Sequence, residues 1–205
     1  IQNLLNVTGM TVLNNFTASF GEQAVAAMGI AQKLAMVPMQ VSQGLSQGGM
    51  PLIGYNYSAR NLKRMKGALV FTAKISLSAI ICATIAYLVF AGPLIRSFMS
   101  DPQVVAYGEQ FLRGLCLAQP FLCVDFLAVG VFQACGLGRN ALIFAFLRKV
   151  VLEIPALLLL NRLFPLYGLA YAQFCAEFVL ACAAVIVLAK MFSRLAVEFG
   201  EKKDG

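Results

Sequence analysis

Six apolar stretches, each long enough to cross a bilayer and separated by only a few turn-forming or polar residues, constrain this chain more than any other feature. A spanning helix needs about 20 mainly apolar residues, and stretches near 1–20, 24–53, 67–95, 105–136, 140–163 and 168–192 qualify. The breaks between them read as turns and helix caps: Gly21-Glu22, Ser100-Asp101-Pro102, Gly136-Leu137-Gly138-Arg139-Asn140 and Phe164-Pro165-Leu166-Tyr167-Gly168. The expected fold is therefore all-α, a polytopic membrane protein with a bundle of six transmembrane helices.

Composition agrees. Only 12% of the residues are charged and the mean hydropathy is +0.79, against about 25% charged in an ordinary soluble domain. The net charge of +7 does not point to nucleic acid, because the basic residues gather between and after apolar runs instead of lining an aromatic-studded face. They report orientation. Gly44, Gly48, Gly49 and Pro51 loosen the second span near its end, and Arg60, Lys63, Arg64 and Lys66 then crowd a short polar loop. An excess of Lys and Arg marks the cytoplasmic side. Alternation puts Arg139, Lys190, Arg194, Lys202 and Lys203 on that side too, so both ends are expected in the cytoplasm. The connections around Glu22, Asp101 and Gly168 face outward, with Arg96 and Arg162 as basic exceptions. Residues 193–205 read as a polar cytoplasmic tail.

Several function classes drop out. The chain has no histidine, which removes imidazole general bases, Ser-His-Asp triads and HExxH zinc sites. Its six cysteines all lie in apolar runs without CxxC spacing, indicating neither zinc nor a disulfide framework. No enzyme, metal or organic cofactor is expected. The first residue is Ile1, no basic region precedes the first apolar run, and no signal peptide is indicated; the sequence reads as a piece of something longer.

Polar residues inside the spans are costly and call for a partner or a role. At ~100° per residue, Asn3, Asn6, Met10, Asn14 and Thr17 share one side of the first helix. On the second, Lys33, Met36, Gln40, Gln43 and Gln47 fall within an arc of roughly 80°, the best cavity candidate in the chain. Such amides also glue helices together. Lys33 sits near the midplane of its span, where snorkelling, an ion pair and substrate or proton work all fit. Asp125 lies five residues after Pro120 in the fourth span; a carboxylate there either trades a proton or a cation, or pairs with a neighbouring donor. Lys149 and Glu153 stand at i, i+4 and are expected to form a structural ion pair. Glu177, the acid of the sixth span, is available to Arg148 or Lys149 across the bundle.

Several blocks in order carry a resemblance: Ala24-Val25-Ala26-Ala27-Met28-Gly29-Ile30-Ala31, Pro38 with Gln43-Gly44, Pro51 through Ala59 followed by Arg64, Gly130-Val131-Phe132-Gln133-Ala134-Cys135-Gly136, and Leu147-Arg148 with Ile154-Pro155. Together they make residues 1–192 resemble the C-terminal six-helix half of a multidrug and toxic compound extrusion (MATE) transporter of the bacterial drug-exporting branch. The resemblance implies a twelve-helix antiporter of two lobes in the bacterial cell membrane, with an N-terminal lobe and membrane lipids as partners. It also implies H+ or Na+ as coupling ion, amphipathic organic cations as substrates, and alternating access as mechanism. On that reading Asn14, Met36, Gln40, Gln43 and Gln47 line the substrate cleft, and Lys33, Asp125 and Glu177 are coupling or ion-pair residues. One branch of the family carries an acid in the helix matching the fourth span, close to Asp125, and another in the helix matching residues 1–20, where this chain has only amides and hydroxyls. A sodium site of that type is not expected.

Two other readings remain open. A flippase for lipid-linked precursors would need cationic groups in the cleft, and Lys33 is the only such residue deep in the second span. A non-transporting helical scaffold would tolerate leucines throughout the polar stripe.

Overall fold

The computed structural model describes residues 2–163 and 167–199, and leaves the side chains of 2–6, 8, 10, 149 and 163 undescribed. The expectations for Asn3, Asn6 and Met10, for the Lys149 side chain, for Pro165 and for Lys202 and Lys203 lie outside the described residues. Elsewhere the chain folds into six helical passes: α1 (Gln2–Ala18), α2 (Glu22–Ser58), α3 (Leu62–Arg96), α4 (Pro102–Ala134), a composite fifth pass and α7 (Tyr167–Glu198). The fifth consists of α5 (Gly138–Phe146), a π-helical segment (Leu147–Glu153) and α6 (Ile154–Leu163). Among the described residues four helices, α2, α3, α4 and α7, are long and apolar enough to cross a membrane. The first pass has only 17 residues in its helix, and the fifth is interrupted.

The interruption has a local cause. Pro155 offers no N–H and its ring would press on the Val151 carbonyl in a regular α-helix. Switching the preceding turn to i→i+5 bonding widens the helix just where that clash would fall.

Glycines that suggested the end of the second span have another use. Helix α2 runs through Gly44, Gly48, Gly49 and Pro51 to Ser58, past the expected limit near residue 53. A Cβ on Gly49 would lie 2.5 Å from Thr72 Oγ1, so here the missing side chain lets α3 approach closely. The helix then stops in a Schellman turn: Arg60, with φ of 52°, donates its N–H to the Tyr57 carbonyl, and the Asn61 N–H goes to the Asn56 carbonyl. Asn61 caps α3 by accepting from the Arg64 N–H at 3.0 Å. Lys63, Arg64 and Lys66 are therefore exposed in the first turns of α3, not in a loop. At the other end of the chain, α7 continues to Glu198 where a tail from 193 was expected. Phe192 and Leu195 hold it, packed with Ile53, Leu62 and Met65.

Helix α4 is the hub, flanked by α2, α3 and α7. It is apolar around most of its circumference, which suits a helix enclosed on all sides, and its buried residues occur on every face. A Cβ at Gly114 would meet Ala170 Cβ at 2.8 Å, so α4 and α7 touch nearly backbone to backbone. Two apolar clusters divide the bundle along its length. One joins Leu13, Met28, Ile95, Phe111, Cys116, Leu169 and Ala172; the other joins Ile53, Leu62, Met65, Val131 and Leu195. Asp125 on α4 and Glu177 on α7 fall between them.

Candidate functional site

Between those clusters lies a group of buried charges. The Arg148 guanidinium donates from Nη1 to Asp125 Oδ2 at 2.9 Å. The pair is closed off, Arg148 being 3% exposed and Asp125 1%, and two more acids join them: Glu177 at 1% and Glu153 at 6%. Glu177 and Glu153 both act electrostatically on Arg148, while the Phe126 ring stacks 5.6 Å from the guanidinium carbon. Three carboxylates thus share one arginine. Three elements supply them: α4 gives Asp125, the π-helical segment gives Arg148 and Glu153, and α7 gives Glu177.

The π geometry explains why Glu153 and Arg148 meet. They are five residues apart, a spacing that an α-helix puts on different faces and that i→i+5 bonding brings round to the same side. The stretch that carries Lys149 and Glu153 is π-helical, and Glu153 acts electrostatically on Arg148; the expected Lys149–Glu153 pairing lies outside the described residues.

A cavity of about 70 Å³ adjoins the cluster. Its polar wall comprises Gln32, Gln119, Gln173 and Glu153, and its apolar wall includes Leu13, Met36 and Leu115. Gln119 donates its Nε2 to the Ala35 carbonyl at 3.3 Å, which ties α4 to α2. Its Oε1 and the Gln32 Nε2 are buried with no hydrogen-bond partner among the described residues. One acceptor and one donor are thus left available beside a carboxylate. That combination suits an ordered water.

Of the expected cleft residues Met36 lines this cavity, and the others lie elsewhere on α2 and α1. Lys33, Met36, Gln40 and Gln47 occupy the exposed side of α2, opposite the buried line of Ala24, Ala27, Ala31, Leu34 and Ala35. Asn14 is exposed on α1, whereas Thr17 turns into the core and donates its hydroxyl to the Leu13 carbonyl at 2.8 Å. Gln43 turns toward α4 and lines a small recess with Ser46, Gln47 and Gln133. Of the residues singled out from the sequence, the structure brings together Asp125, Glu153 and Glu177, and leaves Lys33 on the open face. Arg148 is the centre that sequence reasoning left at the margin. Gln32 was missed, although it stands one turn before Met36, at the edge of the polar stripe.

The family model described as MatE matches residues 1–159. The chain belongs to the MATE family. It is 35% identical over 196 residues to the multidrug export protein MepA of Staphylococcus haemolyticus, covering 95% of this chain and 42% of that protein. It is 34% identical over 204 residues to MepA of Staphylococcus saprophyticus, with 98% and 44% covered. The chain spans less than half the length of these relatives. Among solved structures, an outward-facing multidrug resistance MATE transporter of the MOP superfamily superposes with a TM-score of 0.89 at 20% identity, covering 95% of this chain and 44% of that one. An inward-facing MATE structure superposes equally well, at 0.89 and 19% identity, covering 95% and 46%. The bent form of VcmN from Vibrio cholerae gives 0.88 at 21%, covering 96% and 45%. The same fold of this segment thus occurs in outward- and inward-facing forms.

Proposed function

We propose that this polypeptide is one lobe of a secondary antiporter that expels amphipathic organic cations from a bacterial cell in exchange for H+ or Na+. The observation that carries this reading is the set of three carboxylates around Arg148, sealed from solvent and bordering a cavity through Glu153. Carboxylates enclosed in a low-dielectric interior favour uptake of a proton or a small cation. Binding there stabilises whichever bundle arrangement holds the ion more tightly, so ion entry shifts the balance between outward- and inward-open states. The open side of α2, with Lys33, Met36, Gln40 and Gln47, then faces a second six-helix lobe across the substrate cleft. Rocking of the two lobes exposes that cleft to each side in turn. Both termini lie in the cytoplasm on this reading, as the basic start of α3 favours.

An acidic cavity is unsuited to phosphate or pyrophosphate, which counts against the flippase reading. The deciding experiment reconstitutes the full-length transporter in proteoliposomes and imposes pH and sodium gradients in the presence of a fluorescent organic cation. Either gradient should drive accumulation of the dye. Movement under neither gradient, together with turnover of a lipid-linked substrate, would overturn the assignment.

A further inference from the structure

Helices α2 and α4 leave a recess of about 40 Å³ between them. Gln43, Ser46, Gln47 and Met50 reach it from one face of α2, at i, i+3, i+4 and i+7, while Phe126 and Gln133 reach it from α4. Ser46 and Phe126 are buried and form its floor, and the three glutamines and Met50 form its rim. A Cβ on Gly130 would lie 3.0 Å from Met50 Cε, so the glycine gives that thioether its place beside the recess. Amides that join helices are hydrogen-bonded, as Gln119 is to the Ala35 carbonyl at 3.3 Å. The three rim amides make no hydrogen bond to another described residue. Ser46 Oγ is buried without a partner as well. No acidic or basic side chain lines the recess among the described residues.

We propose that this recess is a head-group subsite for organic cations that carry N–H donors, a protonated amine above all. The inference rests on the cation-transport reading above and names the head group that it leaves open. An ammonium group stripped of water must find an acceptor for each N–H. The amide oxygens of Gln43, Gln47 and Gln133 offer charge-assisted hydrogen bonds, and the Ser46 hydroxyl adds a fourth oxygen at the floor. A quaternary ammonium has no N–H and gains only the polarisable surface of Met50 and Phe126. An anionic head would meet no counter-charge. The volume is a few times the roughly 10–15 Å³ that a single water needs, which is room for an ammonium group and not for the body of a drug.

Binding to the purified full-length transporter in nanodiscs tests the subsite without any gradient. The probes are two fluorescent dyes that differ only in their heads, –CH2NH3+ in one and –CH2N(CH3)3+ in the other, followed by fluorescence anisotropy. The parent should bind the primary amine at least about fivefold more tightly. Gln43→Leu combined with Gln133→Leu should weaken binding of the amine by about tenfold and of the quaternary dye by less than about twofold. Ser46→Ala removes one oxygen with little change of volume, and should weaken the amine alone by about threefold. It also serves as the test if the double variant does not reach the membrane. Equal affinities in the parent, equal losses for both dyes in the variants, or binding of neither dye would overturn the subsite. The expected preference without gradient-driven movement would leave the subsite standing and count against the antiporter reading alone.

Discussion

The open side of α2 and the buried middle of α4 both carry polar residues through an apolar helix, and they solve the problem in opposite ways. On α2 the side chains are neutral amides, a methionine and one lysine, displayed away from the packed face. On α4 a full charge is enclosed and answered by an arginine brought from another pass. An exposed amide can wait for a partner, since its alternative to a hydrogen bond is water. A buried carboxylate cannot, because an unpaired ion in the interior costs several kcal/mol. The first arrangement leaves room for varied ligands, whereas the second fixes a unique set of contacts and makes stability depend on it.

That contrast predicts a hierarchy of mutational effects. Arg148→Met leaves three acids without their common cation and should destabilise the chain by about 3–5 kcal/mol. Asp125→Asn removes one acid while Glu153 and Glu177 still act on the arginine, and should cost only about 2 kcal/mol. Thermal unfolding in detergent, followed by circular dichroism, measures both. Equal losses would mean that Asp125 alone neutralises Arg148 and that the cluster is a simple pair.

Packing provides the next test. Gly114→Ala forces a methyl group against Ala170 and should cost about 1–3 kcal/mol. Gly48→Ala on the open side of α2 meets nothing within 4 Å and should stabilise by about 0.5–1 kcal/mol through helix propensity. The two glycines look alike in sequence. A destabilised Gly48→Ala variant in the full-length transporter, alongside a stabilised one in this chain alone, would show that another element covers that face.

A smaller effect is expected at the α2–α3 turn. Arg60 holds a left-handed conformation that costs an L-residue roughly 1–2 kcal/mol, so Arg60→Gly should raise stability by about 1 kcal/mol once the extra freedom of the unfolded glycine is allowed for. The unfolding midpoint of that variant, compared with Arg60→Ala, separates the backbone effect from the loss of charge.

Much of the fold was legible because each span announces itself by length and apolarity, and because turns such as Asp101-Pro102 carry cap chemistry that needs no tertiary information. Asp101 does cap α4, accepting from the Gln103 N–H at 2.8 Å. The glycines near residue 49 misled because a glycine that ends a helix and one that admits a neighbouring helix differ only in what lies opposite. The site was less legible for a related reason. Angular bookkeeping assumes a regular α-helix, and the π-helical turn at 147–153 departs from it, bringing Glu153 within electrostatic reach of Arg148. On a regular helix Asp125 lies off the face that Gln119 and Cys123 share, but a helix enclosed on all sides has no wrong face. Gln119 ties to α2 while Asp125 reaches the fifth pass.

The smallest effect on stability belongs to the polar stripe of α2, and it is the most informative about function. Gln40 and Gln47 are exposed, so Gln40→Leu and Gln47→Leu should each change stability by less than about 0.5 kcal/mol. If the stripe lines the cleft of the assembled transporter, loss of one amide hydrogen bond to a cation or its water shell, worth about 1–1.5 kcal/mol, should lower apparent affinity for organic cations up to about tenfold. Dye efflux from cells expressing the full-length double variant, compared with that of the parent at matched expression, measures this directly. Unchanged efflux across several dyes would move the substrate path away from α2 and leave the amides as inter-helix glue, for which a second lobe packed on this face would be the natural partner.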